Sequence, residues 1–348
     1  MPALRIGVLS PSEIAFRRFL PALRKCQAEF DYVGLATASP QEWGGPAAEA
    51  EAEASRAKAL GLQAEHGGLL FDSYAELLES DVDCVYVPLP PALHYRWGRL
   101  GLEHGKHVLL EKPSTTAPAD TSALVDLARA NGLALHENYM FQYHSQLETI
   151  RQEIAQGTIG EVRLIQIQFG FPFRGVNDFR YNPALGGGAL LDCGGYTIKL
   201  ATMLLGDSAR VTTSTLGSAR GLPVDVYGHA TLVNDAGLTA QVSFGMDNDY
   251  RCNLDVWGSQ GRLFTDRVLT APDGFEPTLT IRSASGDETR TLADDDSFRK
   301  SILAFRAAID SAEARERAYA AMLTQSRLVD EVSAAAAPPR PPADRPAE

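Results

Sequence analysis

The stretch "LRIGVLSPSEIAFRRFLPALRK", Leu4 to Lys25, decides how the chain begins. Its first six residues form a short apolar run, which suits a strand buried on both faces. A tight turn follows, and a helix is expected from about Glu13. In a strand–turn–helix unit that binds a dinucleotide, this turn carries G-x-G-x-x-G, because bare backbone can approach a pyrophosphate at the helix N-terminus. Here the three glycine positions hold Ser10, Ser12 and Ala15. Serine hydroxyls can donate to phosphate oxygens, and the helix dipole remains. On this segment alone, a dinucleotide site and a plain strand and helix stand level.

The same rhythm continues outward. "DYVGLAT" (31–37) precedes an Ala- and Glu-rich helix expected over 47–60. "DCVYVPL" (83–89) leads into "PALHYRWGRLGLEHG", and "HVLLEKP" (107–113) into the helix "PADTSALVDLARANG". "LALHE" (133–137) reads as a further strand. Short apolar strands alternating with helices predict a parallel sheet. After about His144 the pattern changes to a helix, "SQLETIRQEIAQGTIG", and a long alternating strand over 161–171. Beyond "GGGALLDCGGYTIKLATMLLG" lie "ARVTTSTLG", "DVYGHATLVN", "LTAQVSFGM", "CNLDVWGS", "GRLFTD" and "TLTIRSA". Strands in succession with turn residues between them predict a mostly antiparallel sheet. Helices are expected at about 298–313 and 316–334, and the Pro/Ala run over 335–348 reads as a disordered tail.

Bulk composition narrows the function. The chain has 348 residues, enough for two domains, and its 45% hydrophobic and 22% charged content is that of a soluble globular protein. A net charge of -12 argues against nucleic acid as a partner. No apolar run reaches the ~20 residues of a membrane helix. "MPALRIGVLS" enters a strand without a signal peptide's basic start or cleavage site. Cys26, Cys84, Cys193 and Cys252 are scattered, which fits reduced thiols in a cytoplasm rather than disulfides or structural zinc. No His, Cys and Asp cluster has metal-ligand spacing, so no metal is expected.

Several motifs carry chemistry. At the end of the second strand, "LATASPQEW" shows neither the acid that binds an NAD ribose directly after the strand nor the arginine of an NADP site. Room for a 2′-phosphate, with Thr37 and Ser39 as donors, leans toward NADP. Lys112 follows a predicted parallel strand, at the carboxyl edge where ligands bind, though a surface lysine before a proline turn would look the same. His94, in "PLPPALHYRW", either holds its loop by a hydrogen bond or lies near the cofactor. His144, in "ENYMFQYH", reads by itself as a buried, satisfied histidine. In "LGGGALLDCGGYTIKLA", Gly186 to Gly188 suggest a helix entry where backbone approaches something closely. Asp192 and Tyr196 fall four apart on one helical face. Tyr196 is a candidate proton donor, and a core tyrosine is the alternative.

Taken in order, "GKHVLLEKP", "ENYMFQYH", "GGGALLDCGGY" and "VWGSQGRLF" resemble the Gfo/Idh/MocA oxidoreductase family. The resemblance spans nearly the whole chain to about residue 334. It implies an α/β fold with an N-terminal Rossmann domain, here 1–137. An α+β C-terminal domain with an open, mostly antiparallel mixed sheet follows over 138–334. Tyr196 stands where many members carry histidine, as in the branch with sugar ketoreductases, glucose–fructose oxidoreductase and dihydrodiol dehydrogenase. The resemblance implies a tightly held NADP or NAD and a sugar substrate. It also implies a homo-oligomer, dimer or tetramer, formed through the C-terminal sheet. The cofactor is expected against Ser10, Ser12, Glu13, Ile14, Ala15, Thr37, Ser39, Pro88, Leu89, Pro90, His94, Glu111, Lys112 and Asn138. The substrate is expected against Lys112, His144, Asn177, Arg180, Asp192 and Tyr196, with Lys112, Tyr196 and Asp192 catalytic. The expected reaction is hydride transfer at a sugar carbinol or keto carbon, as in reductases of nucleotide-linked keto-sugars. The rivals are a dehydrogenase of free sugars, inositols or diols, a non-enzymatic NAD(P)-binding regulator and an NAD-dependent glycosidase.

Overall fold

The structure, a computed structural model, describes residues 2–43, 48–284 and 286–336. The described residues form two compact units, one within 2–144 and 296–326 and the other within 145–295 and 327–336. This departs from the expected single boundary after 137, because the chain returns to its first unit near the end. The expected tail falls almost wholly outside the described residues; Ala335, its first residue, still belongs to the helix Ala312–Ala335.

The first unit is built on β1 (Leu4–Leu9), β2 (Phe30–Ala36), β3 (Leu69–Phe71), β4 (Cys84–Val87), β5 (His107–Leu110) and β6 (Leu135–Glu137). The strands are parallel and ordered β3-β2-β1-β4-β5-β6. That is the doubly wound order, whose direction reverses between β1 and β4. β3 is the strand that the sequence pattern missed: it has three residues and its Leu69 is exposed, too little for any period. The helix before it runs Ala48–His66, longer than expected, and position 47 lies outside the described residues.

Alternate residues of each strand enter opposite cores. Val85 and Val87 join one, with Trp97, Leu124, Tyr319 and Met322. Cys84 and Tyr86 join the other, with Phe19, Phe298, Ile302 and Phe305. Helix Ser297–Asp310 therefore covers a sheet face formed by the first half of the chain. Phe305 is fully buried and stacks on Phe30, ring centroids 6.0 Å apart. Arg306 donates from Nη1 to the Glu29 carbonyl at 2.8 Å.

The second unit holds β7 (Val162–Gly170), β8 (Arg210–Gly217), β9 (Tyr227–Val233), β10 (Thr239–Gly245), β11 (Arg251–Gly258), β12 (Gly261–Thr265), β13 (Thr278–Ser283) and β14 (Gly286–Thr291). Their order is β14-β13-β12-β11-β7-β10-β9-β8, antiparallel except for the β7–β10 pair. β14 escaped the sequence reading because "GDETRT" is polar throughout, as an exposed edge strand can be. Ile165, Ile167, Val242, Leu254 and Val256 are buried, while Gln166, Gln241 and Trp257 on the alternate positions face solvent. Helix Gly195–Leu205 packs on β7 and β10. It is entered through a wide π-turn, Leu190–Gly194, so the expected i,i+4 register of Asp192 and Tyr196 is interrupted.

Truncating Phe305 tests the return of the chain. Phe305→Ala is expected to destabilise the first unit by about 3–5 kcal/mol in urea unfolding. A loss below about 1 kcal/mol would mean that the helix is not part of that core.

Candidate functional site

In the first unit the opening turn keeps the backbone form that glycine usually supplies. Ser10 has φ +103, a left-handed conformation uncommon outside glycine. Its N–H donates to the Ala36 carbonyl at 3.1 Å, and Ser12 N–H donates to the Ser10 carbonyl at 2.9 Å. Ser12 Oγ accepts from Ala15 N–H at 3.3 Å, a helix cap. Ala15 is fully buried, meeting the close packing for which the third glycine is used. Glu13 is exposed and paired with Arg17, and Ile14 is half-buried. Hydroxyls and N–H groups at a helix N-terminus, beside the sheet's switch point, fit a dinucleotide's pyrophosphate.

At the end of β2, Thr37 is buried and donates from its N–H to the Phe71 carbonyl at 3.1 Å. Ser39 is committed elsewhere than expected. Its N–H and hydroxyl donate to Glu42 Oε2 at 2.8 and 3.1 Å. The same carboxylate accepts from the N–H groups of Tyr74 and Ala75 at 3.1 and 3.0 Å. Ser39 and Glu42 form the S-x-x-E capping box, a signal present in "LATASPQEW".

The loops after β4 and β5 are tied together by His94. It is fully buried, with Nδ1 2.7 Å from the Pro113 carbonyl and Nε2 2.7 Å from the Leu89 carbonyl. Pro88 and Leu89 are buried and Pro90 precedes the helix Pro91–Glu103. Burial pushes the imidazole down to about 4, aided by Lys112 and opposed by the two carbonyls. The neutral ring then donates from one nitrogen only. Lys112 is half-buried, and its peptide to Pro113 is cis.

Glu111 and Asn138 are buried and bonded to each other. Tyr86 Oη and Asn138 Nδ2 both donate to Glu111 Oε1 at 2.6 Å. Ser301 Oγ donates to Asn138 Oδ1 at 2.8 Å. Burial raises the Glu111 carboxyl above its ordinary range, while the donors from Tyr86 and Asn138 pull it back. Glu111, Asn138 and His94, expected against the cofactor, make internal hydrogen bonds that brace the segment carrying Lys112. His144 is buried.

In the second unit the glycine run serves the chain itself. A Cβ on Gly187 would lie 2.5 Å from the Arg180 carbonyl oxygen. Gly188 has φ +126, and a Cβ there would lie 2.4 Å from Asp225 Oδ1. Asp225 Oδ2 accepts from Leu190 N–H at 2.6 Å and so caps the π-turn. Burial raises its carboxyl, against that N–H. No periodic pattern marks Asp225 in the sequence, and it was missed.

Two predicted residues do meet. Arg180 Nε donates to Asp192 Oδ2 at 2.7 Å, and its Nη1 donates to Asp178 Oδ1 at 3.1 Å. Burial opposes the Arg180 charge, but the two carboxylates outweigh it and keep it protonated. Tyr196 is buried with its ring edge-on to Phe169, centroids 5.3 Å apart. Asn177 is exposed on the loop after β7. Among the described residues, no group of three or more His, Cys, Asp or Glu could hold a metal ion. None of their helices is long and apolar enough to cross a membrane.

Residues 25–139 match the model of the oxidoreductase family with an NAD-binding Rossmann fold, and residues 147–264 match the GFO/IDH/MocA C-terminal domain. The chain belongs to the Gfo/Idh/MocA family of NAD(P)-dependent oxidoreductases. It is 40% identical over 344 residues to a dTDP-3,4-didehydro-2,6-dideoxy-alpha-D-glucose 3-reductase of Streptomyces violaceoruber, covering 96% of each chain. A solved 3-ketoreductase from Actinomadura kijaniata, in complex with NADP and TDP-benzene, superposes with a TM-score of 0.87 at 37% identity, covering 96% of this chain and 98% of that one. A D-xylose 1-dehydrogenase (NADP(+)) of Haloferax volcanii is 30% identical, covering 96% of this chain and 99% of that protein.

His94 gives a pH test. Its folded pKa lies below the ordinary 6.5, so its contribution to stability is lost as pH falls from about 6.5 to about 4. His94→Gln is expected to lower stability at pH 7 by about 1–3 kcal/mol, with the gap to wild type closing on the acid side. Urea unfolding at a series of pH values reads this, and a gap constant with pH would refute it.

Proposed function

We propose that the protein is a reductase that delivers hydride to a keto carbon of a nucleotide-linked sugar, with NADP preferred. The observation that carries this is the presence of both Lys112 and Tyr196 at a matching spacing in sequence. Solved forms of the Actinomadura 3-ketoreductase include a lysine-to-alanine and a tyrosine-to-phenylalanine variant. Those two positions lie as far apart in that chain as Lys112 and Tyr196 do here. The NADP in that complex, and the NADP(+) in the name of the xylose dehydrogenase, support the cofactor preference.

Ser10, Ser12 and the N–H groups of the following helix hold the pyrophosphate. Bound nicotinamide supplies the hydride. As the carbonyl carbon accepts it, negative charge grows on the keto oxygen. Tyr196 gives that oxygen a proton from Oη, and the Lys112 ammonium stabilises the developing charge. Asp192, fixed by Arg180, orients a substrate hydroxyl. Glu111 and His94 act on Lys112 as positioning residues, Glu111 from directly before it and His94 through the carbonyl of Pro113 directly after it. The regulator reading is disfavoured because a sensor has no need of a proton donor. The match to a xylose dehydrogenase favours one other reading, oxidation of a free sugar by NADP(+) at the same residues.

The test is a titration of cofactor-stripped protein with NADPH and NADH, followed by turnover. NADPH is expected to bind more tightly. Tyr196→Phe is expected to lower kcat on a dTDP-linked 3-keto-sugar by at least about a hundredfold while NADPH affinity holds. Failure of either cofactor to bind would end the oxidoreductase reading. Turnover of xylose with NADP(+), and none of the keto-sugar nucleotide, would favour the alternative.

We further propose that the outward face of the eight-stranded sheet pairs with a second copy, in a cytoplasmic setting. Trp257, 61% exposed near the end of β11 on the outward face, supports the pairing. Trp257→Glu is expected to convert an oligomer to a monomer in light scattering. A wild-type monomer would refute the proposal.

A further inference from the structure

We infer that Arg174 binds a phosphate of the substrate, the diphosphate of a nucleotide-linked sugar. The inference rests on the reading of Tyr196 as proton donor to the sugar. Phe169 and Phe171 flank Gly170, the last residue of β7. The Tyr196 ring meets Phe169 edge-on at 5.3 Å, and Phe169 meets Phe171 at 6.1 Å. The Arg174 guanidinium lies over the Phe171 ring, 4.7 Å from its centroid. A continuous row of rings thus links the proposed proton donor to an exposed cation.

Charge singles out Arg174 among the arginines of this region. Arg180, expected from sequence to line the substrate, is matched by two carboxylates, so that cluster carries a net negative charge. A dianion placed there would meet repulsion. Arg220 stacks on Phe173 at 4.9 Å but is held by both oxygens of Asp247, at 2.7 and 3.0 Å. Among the described residues Arg174 has no carboxylate within ion-pair distance. Its backbone is anchored: its N–H donates to Tyr181 Oη at 3.2 Å, and Tyr181 Oη donates to the Met246 carbonyl at 2.7 Å. A guanidinium stacked on a ring keeps its N–H edge free, and that planar fork matches phosphate oxygens in pairs. Phe169, Phe171 and Tyr196 are themselves buried, so the row of rings is a fixed backing, and Arg174 gives the anionic end of the substrate a cationic end-stop.

Wild type and Arg174→Gln are compared for inhibition by thymidine diphosphate, for inhibition by thymidine and for NADPH binding. Arg174→Gln is expected to raise the inhibition constant of the diphosphate by on the order of ten- to a hundredfold. Thymidine inhibition and the NADPH Kd are expected to move less than about twofold, and Arg174→Lys to recover part of the loss. Equal weakening toward thymidine and its diphosphate would overturn the inference, because a general loss of packing moves both. Diphosphate inhibition that is strong in wild type and unchanged in the variant would also overturn it, leaving the proposed function standing. A wild type that is not inhibited by the diphosphate and does not turn over keto-sugar nucleotides would remove the proposed function, and this inference with it.

Discussion

A parallel sheet has no face that can be left to water. Each strand of the first unit alternates between two cores, so both faces need a helical cover. The helices between its own strands do not suffice. The chain travels through the whole second unit before residues 296–326 return, bringing Phe298, Ile302, Phe305, Tyr319 and Met322. The covered sheet is what makes the carboxyl edge rigid, and the turn at Ser10 and the segment at Lys112 are set on that edge. In the second unit the demand is looser, since an antiparallel sheet can keep one face wet. Its helix Gly195–Leu205 covers the inner face, and Gln166 and Gln241 mark the outer one.

Buried polar groups brace both candidate regions at a known physical cost. Glu111 is held in a core where its charge is disfavoured, yet it accepts from Tyr86 and Asn138. His94 sits neutral between two carbonyls and can satisfy only one with its proton. Asp225 is also raised by burial, and it caps the turn that leads to Asp192 and Tyr196. A core made only of apolar side chains would be cheaper, but it would not fix a loop's carbonyls or a helix's first N–H in one place.

Much of this is legible in the amino-acid sequence. The βα rhythm of the first half, the six strand-like runs of the second and the order of the four motifs define the fold and the family. What stayed hidden was whatever depends on partners distant in sequence. β3 and β14 lack a period because one is three residues long and the other almost wholly exposed. The return of helix Ser297–Asp310 to the first sheet is a tertiary fact that its own amphipathic pattern cannot name. The glycines before Asp192 signal a close approach of backbone without naming what approaches, and Gly187 and Gly188 make room for Arg180 and Asp225. Ser39 was read as a phosphate donor, although Glu42 three residues on already offered it a local partner. Arg180 and Asp192 were both chosen from sequence, and neither choice could reveal that they neutralise each other.

The return of the chain also sets a schedule for synthesis on the ribosome. Residues 1–144 emerge with both sheet faces lacking the cover that residues 296–326 provide. At about 5–20 residues per second, the intervening chain takes roughly ten to forty seconds to make. During that interval the nascent first unit carries an apolar surface around Phe30 with no Phe305 to shield it. A chain cut short anywhere in the second unit would keep that surface permanently. Truncated products of this protein should therefore engage chaperones or aggregate, even though every strand of the first sheet is present.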